Sequence, residues 1–247
     1  MDGTLDFTTH PDYAVQKLNI GREGAPLLVI DNLVDKADAL VELAAGKHYG
    51  DVATYYPGIR AKAPLTYQQF ILDTLRGLAG EFFGLEPGTL RFTACHFSIV
   101  TTPGDKLEYL QRIPHSDSML GTELAMVHYL FKRNFGGTAF YRHRRTGFEY
   151  VDVGRRATYL ACVDQESKGP DKPAPGYITG STALYEQICS QKGVFNRLLM
   201  YRRTSLHSGN IAPDFVPDPD PRRGRLSING FLAGNAAIPA ASVPDLS

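Results

Sequence analysis

Cysteine is scarce in this sequence: Cys95, Cys162 and Cys189 are odd in number and form no CxxC pair. That speaks against a disulfide framework and a cysteine-based structural zinc site, and a reducing compartment is expected. Net charge is lacking as well. Lys+Arg and Asp+Glu both count 26, so no global field draws the chain to a polyanion, and nucleic acid is the least expected partner. The opening MDGTLDFTTHPDYAV contains neither a basic segment nor an apolar run, so neither a signal peptide nor a membrane anchor is expected, and the cytoplasm is the default location. GxGxxG, GxxxxGK[ST], HExxH, GxSxG and HxH are all missing, which removes the commonest nucleotide, zinc-protease and serine-hydrolase chemistries.

What is present is an ordinary globular composition, 43% hydrophobic over 247 residues, enough to bury one large core in one domain. Residues 1–88 read as a supporting region of strands and helices. APLLVIDNL (25–33) is a short apolar run closed by Asp31 and Asn32, hence a strand. KADALVELAAGK and a longer segment from Thr66 to Phe83 read as helices, the second carrying Phe70, Ile71, Leu75, Leu78 and Phe82 on one face. TYYPGIRAKAP between them reads as a loop, and its Tyr55, Tyr56, Gly58 and Arg60 fit equally a substrate rim and an exposed aromatic loop packed on the barrel.

From residue 89 onward the period becomes two. Strands are expected at 90–101, 113–119, 123–131, 137–143, 147–153, 195–203 and 224–232, with another possible over 155–162. An insertion is expected at about 164–192, containing a short helix in STALYEQICSQ, and Pro213 to Arg223 should be a stiff, exposed, acidic loop beside the mouth of any site. Many short strands with turn residues between them suggest a jelly roll or sandwich.

The chemistry centres on His115-Ser116-Asp117, read as an HxD at a strand end, where residues i and i+2 share a face. HxD alone arises often by chance, and the chain holds a second, His10-Pro11-Asp12, in a terminal segment with no strand pattern. Company distinguishes the first. His207 follows 92 residues later and Arg225-Leu226-Ser227 comes 18 beyond that. Two imidazoles and a carboxylate suit iron(II) and leave coordination positions open, while a guanidinium on a neighbouring strand can grip the far carboxylate of an oxo acid. His48, His96, His128 and His143 are read as structural. Arg222 and Arg223 precede the regular alternation that contains Arg225.

PHSD at 114–117, ELAMVHYLFKRNFGGTAFY, KGVFNRLLMYRRTSLHSG and RRGRLSINGF stand in an order that resembles the iron(II)- and 2-oxoglutarate-dependent oxygenases, most closely their prolyl-4-hydroxylase-like branch. The resemblance spans about 140 residues. It implies a mainly β, α+β fold, a double-stranded β-helix (jelly roll) with N-terminal helices in support. It further implies iron(II) on His115, Asp117 and His207, and 2-oxoglutarate on Arg225 with Ser227, Tyr129 and Tyr141 as further contacts. Ascorbate would be an additional cofactor and the substrate a small molecule, amino acid or peptide. The implied reaction removes hydrogen from an unactivated C–H bond and ends in hydroxylation. Two positions depart from the family pattern: Arg112 stands three residues before His115, where an aromatic is usual, and the gap before Arg225 is lengthened. The rival reading is a non-catalytic β-sandwich that binds a metal or ligand, against which Arg225 argues, since a structural ion has no use for a guanidinium facing it.

Overall fold

The computed structural model describes residues 6–51 and 55–237. The first five residues of the opening segment, and Thr54 of the loop reading, lie outside them. Among the described residues the fold is mainly antiparallel β with three α-helices. Strand β1 (Ala14–Ile20) pairs with β2 (Ala25–Asp31), followed by helix α1 (Asp38–Ala45), the two-residue β3 (Gly50–Asp51) and β4 (Gly58–Lys62). Helix α2 (Leu65–Phe83) then leads into β5 (Arg91–Val100), β6 (Glu123–Tyr129) and β7 (Gly137–His143). Helix α3 (Arg156–Glu166), β8 (Tyr185–Lys192), β9 (Leu198–Arg202), β10 (His207–Asn210) and β11 (Leu226–Ala233) complete the chain.

Eight strands form one sheet in the order β1-β2-β9-β6-β11-β5-β4-β3, and three form a second in the order β10-β7-β8. Alternation divides the large sheet's residues cleanly between its faces. Leu28, Ile30, Phe97, Ile99, Met126, Leu198, Met200, Leu226 and Ile228 point outward into one apolar cluster with Tyr67, Ile71 and Leu75 of α2. The opposite residues of the same strands, including Val29, Ala125, Tyr129, Leu199 and Tyr201, pack with Phe140 of the small sheet. The space between the two sheets is therefore defined by inward-facing residues of β6, β9 and β11 on one side and β7 and β10 on the other.

Several expectations are corrected. The segment 155–162 is not a strand but the start of α3, whose Tyr159, Cys162 and Val163 recur at helical spacing and are buried. STALYEQICSQ is not helical: Tyr185–Lys192 is β8, paired along its length with β7, so the expected insertion at 164–192 contributes a strand to the small sheet. Leu184 and Ile188 stand four apart and mimic a helix face, but the β7 partners lie 42 to 55 residues away and no local pattern reveals them. Residues 147–153 make only one bridge, Tyr150 to Ser205, and 113–119 only one, His115 to His207. The loop reading of TYYPGIRAKAP misses β4, and the terminal segment read as irregular contains β1.

His128, read as structural, is fully buried and stacks on Tyr67, with ring centroids 5.9 Å apart. The Asn196 amide is oriented by donating to Val34 O and accepting from Val34 N, which leaves its Oδ1 to accept from His128 Nε2 at 3.1 Å. His128 Nδ1 then accepts from the Tyr67 hydroxyl at 2.9 Å. The neutral ring satisfies every partner, and burial depresses its pKa to about 4 despite the Asn196 contact. The unfolded chain takes up this proton near the ordinary value of 6.5, whereas the folded chain holds out to about 4. Stability present above pH 6.5 is thus lost as pH falls through that window, by up to about 3 kcal/mol from this group. Urea denaturation at a series of pH values should show this slope, and His128→Gln should flatten it; an unchanged slope in the variant would remove His128 as its source.

Candidate metal centre

A backbone exchange between distant segments builds the centre. His115 N donates to His207 O at 2.9 Å and His207 N donates to His115 O at 3.0 Å, so the 114–117 segment is held as an extra rung beside β10. Asp117 N and Ser118 N both donate to Arg203 O, at 2.8 and 3.3 Å. Arg203, in the turn after β9, donates through Nη2 to Asp117 O at 2.9 Å and through Nη1 to Glu123 Oε2 at 2.7 Å. Behind the segment, the Tyr159 hydroxyl of α3 donates to Pro114 O at 3.2 Å and contacts the Tyr185 hydroxyl at 3.0 Å.

These constraints converge three side chains. One ligand atom from each of His115, Asp117 and His207 lies within 4.8 Å of the others, and this is the sole His/Cys/Asp/Glu group of that kind among the described residues. His115 Nε2 stands 3.8 Å from Asp117 Oδ1, and His207 Nε2 stands 3.5 Å from Asp117 Oδ2. His207 Nδ1 donates to Ser205 O at 2.9 Å, which fixes the tautomer and leaves the Nε2 lone pair facing the carboxylate. Burial, and next the adjacent His115, depress His207 to about 4 against the pull of Asp117, so the ring is neutral and ligand-competent at neutral pH. Access is one-sided. The His115 and Asp117 side chains are 49% and 22% exposed and that of His207 is 7% exposed, so solvent reaches the centre past His115. His10 makes only an exposed turn with Asp12 and has no third partner of this kind.

Arg225 immediately precedes β11 and is 5% exposed. Its Nε donates to Phe135 O at 3.1 Å and its Nη2 to Gly137 O at 2.8 Å, while its guanidinium carbon lies 5.4 Å from the Phe131 ring centre and 6.0 Å from that of Tyr129. None of the ion pairs among the described residues includes it. Arg222 and Arg223, by contrast, are neutralised at the surface by Glu42 and by Asp218 and Asp220. Gly224, just before Arg225, has no room for a side chain, since a Cβ there would stand 2.1 Å from Asp218 O. The acidic loop is thereby locked against the start of β11, and its Phe215 packs edge-on to Phe135, the residue whose carbonyl receives Arg225.

Ser227 lies two residues on, on the same inward face as Arg225, and donates to Asn229 Oδ1 at 2.8 Å. Tyr129 sits in the next strand at the level of Ser227, with its hydroxyl 2.7 Å from that of Thr138. Tyr141 is placed elsewhere. Phe140 faces His207, whereas the next residue, Tyr141, points to the other side of the small sheet, as Ala139 does, into a cluster with Val151, Tyr159 and Tyr185. It does not share the surroundings of Arg225. Sequence reasoning missed Asn229, which also lines this face; Arg60, left open in the sequence between a substrate rim and an exposed aromatic loop, stands on the same face because its segment is β4 rather than loop.

A mainly antiparallel two-sheet protein with a two-histidine, one-carboxylate cluster between its sheets is the class that fold and site define. The chain belongs to the family described as DUF6445, a family of unknown function, whose profile matches residues 11–232. No curated protein matches it. Solved structures similar to it include SnoN, a non-heme alpha-ketoglutarate-dependent epimerase from nogalamycin biosynthesis, at 12% identity and TM-score 0.48, covering 90% of this chain and 86% of that one. HygX from Streptomyces hygroscopicus with nickel and 2-oxoglutarate bound is similar at 10% identity and TM-score 0.49, covering 86% and 84%. EctD from S. alaskensis with 2-oxoglutarate and 5-hydroxyectoine is similar at 12% identity and TM-score 0.46, covering 92% and 86%. No helix among the described residues is long and apolar enough to cross a membrane.

Proposed function

We propose that the protein is an iron(II)- and 2-oxoglutarate-dependent oxygenase that hydroxylates an unactivated C–H bond of a small-molecule, amino-acid or peptide substrate, on a double-stranded β-helix. The observation that carries this reading is Arg225: a buried guanidinium with no carboxylate in ion-pair contact, on the inward face of the same sheet that borders the metal cluster. A buried cation is costly unless an anion joins it, and its two carbonyl contacts satisfy only part of its fork.

The donor set fits iron(II). Two neutral imidazoles and one carboxylate suit a non-haem iron that keeps open positions, and no cysteine stands in the cluster. His207 and His115 would each offer Nε2, and Asp117 a carboxylate oxygen. Bound together, iron(II) and 2-oxoglutarate supply an oxidant from dioxygen capable of taking hydrogen from a C–H bond. The chain supplies the rest. Arg225 would pair with the carboxylate of 2-oxoglutarate remote from the metal, with Ser227 and Tyr129 as neighbouring polar groups. Ser205 O keeps the His207 ring in its ligating tautomer, and Tyr159 and Arg203 hold the segment that carries His115 and Asp117. The apolar wall of Phe140, Tyr201 and Leu199 excludes water from the buried side. The order of PHSD, the paired Gly136 and Gly137, His207 and Arg225 supports placement near the prolyl-4-hydroxylase-like branch.

Anaerobic titration of the protein with iron(II) and then 2-oxoglutarate tests this. A visible charge-transfer band that saturates at one 2-oxoglutarate per chain, followed by succinate formation on admitting air, is the expected result. Iron binding without any 2-oxoglutarate response would leave a metal-binding protein and end the oxygenase reading.

A further inference from the structure

The inner face of the large sheet is divided in composition. Beneath the small sheet, β6, β9 and β2 present Ala125, Val127, Leu199, Tyr201 and Val29, which are apolar. On the other side, β4, β5 and β11 present polar residues. The register pairs Arg60 with Ser98, Ser98 with Ser227 and Ser227 with Tyr129, so all four side chains share the inner face. One step along, Lys62 pairs with His96 and His96 with Asn229. No carboxylate stands at an inward position of β4, β5 or β11 among the described residues, while three basic groups do: Arg60, Lys62 and His96.

Arg60 is the centre of this half. It is partly buried, its Nε is buried without a hydrogen-bond partner, and it forms no ion pair among the described residues. Its guanidinium carbon lies 4.2 Å from the centre of the Tyr56 ring, a cation–π contact that helps to hold it in place. Asp117 is among the charges it senses, so it stands within electrostatic reach of the metal centre. Burial, and after it the charges of Arg60 and Lys62, press the pKa of His96 below the ordinary value. Arg225 occupies the end of β11 two residues before Ser227, separated from Arg60 by the width of β5. Two guanidinium positions thus stand on this face of the sheet, Arg225 buried and Arg60 partly buried.

We propose that Arg60 is the anchor for the substrate, and that the substrate is a small anion whose carboxylate or phosphate group pairs with this guanidinium beside His96 and Asn229. The assignment rests on the oxygenase reading, because it takes Arg225 as already committed to 2-oxoglutarate. A planar fork held on an aromatic ring recognises such oxygens in bidentate fashion, whereas a neutral ligand would leave the charge uncompensated in a partly dry site. The anchor also fixes direction. An anion held on β4 must extend its carbon skeleton towards Asp117 and His115 to reach the reacting position.

The test uses full-length protein labelled with 15N-arginine and loaded with zinc as a diamagnetic stand-in for iron. The Nε resonance of Arg60 is assigned by its loss in Arg60→Gln, and that of Arg225 by its loss in Arg225→Lys. Adding 2-oxoglutarate should move the Arg225 signal and leave Arg60 in place. Potassium acetate or inorganic phosphate should then move the Arg60 signal saturably, and the tighter of the two identifies the anionic group. Followed through the Asn229 amide, the affinity for that anion should fall about tenfold or more in Arg60→Gln, the loss expected of a charge-assisted pair. An Arg60 signal unmoved by both anions overturns the proposal. So does an Arg60 signal that moves with 2-oxoglutarate, which would assign it to the cosubstrate. An Arg225 signal indifferent to 2-oxoglutarate refutes the oxygenase reading instead, and is seen separately.

Discussion

His207→Ala is expected to abolish stoichiometric iron(II) binding, with affinity falling by more than about a hundredfold, since even a group one layer removed from an ion is commonly worth 10- to 100-fold. His207 is the buried member of the cluster, held between Phe140 and Tyr201, with ring centroids 6.4 and 4.8 Å away. Its removal leaves a cavity as well as a missing donor, so some loss of melting temperature should accompany the loss of metal. His115→Ala separates the two effects. Its ring is half exposed, so iron binding should be lost there with little change in melting temperature. His10→Ala, in the exposed turn with Asp12, should bind iron as the wild type does. Isothermal titration under nitrogen reads all three, and retained affinity in both His207→Ala and His115→Ala would dismantle the cluster.

Arg225→Lys should bind iron normally and lose 2-oxoglutarate. The substitution replaces a rigid fork anchored on Phe135 O and Gly137 O with a single flexible ammonium. Breaking a desolvated, bidentate pair costs on the order of 2 to 5 kcal/mol, or about 30- to several-thousand-fold in affinity. The flanking arginines are demanding controls. Arg222→Lys and Arg223→Lys alter residues already paired with Glu42, Asp218 and Asp220 at the surface, and both variants should keep wild-type affinity. Equal 2-oxoglutarate binding by Arg225→Lys and the wild type would contradict the role given to Arg225.

The legibility of the chain follows the range of the interactions that shape it. Strand β7 is readable to the residue because GTAFYRH is short, aromatic and bounded by glycine at its start. Helix α2 is readable because nineteen residues repeat one apolar face. The spacing of His115, Asp117, His207 and Arg225 was visible as well, although its structural basis differed from the expected one. His115 lies on a single bridge rather than in a strand, and His207 begins a strand of the small sheet rather than ending one of the large. The readings that failed depend on distant partners. YEQICSQK becomes a strand because β7 lies beside it, and GIRAK does so because β5 does. The resemblance suggests Tyr141 as a cosubstrate contact, but ordinary alternation along β7 sets it on the face opposite Phe140.

The mutual backbone bonds of His115 and His207 bear on how the metal is acquired. In small metal-nucleated domains the ion gathers its ligands from a disordered chain, so binding and folding are one event. Here peptide groups 92 positions apart are clasped by amide and carbonyl, and the backbone of Asp117 is held by Arg203, contacts that the polypeptide makes with itself. The ordering of these donors is therefore a property of the polypeptide itself. An ion bound by His115, Asp117 and His207 would thus meet donors already gathered, and its removal by a chelator should leave the fold in place, so the protein should reload without refolding.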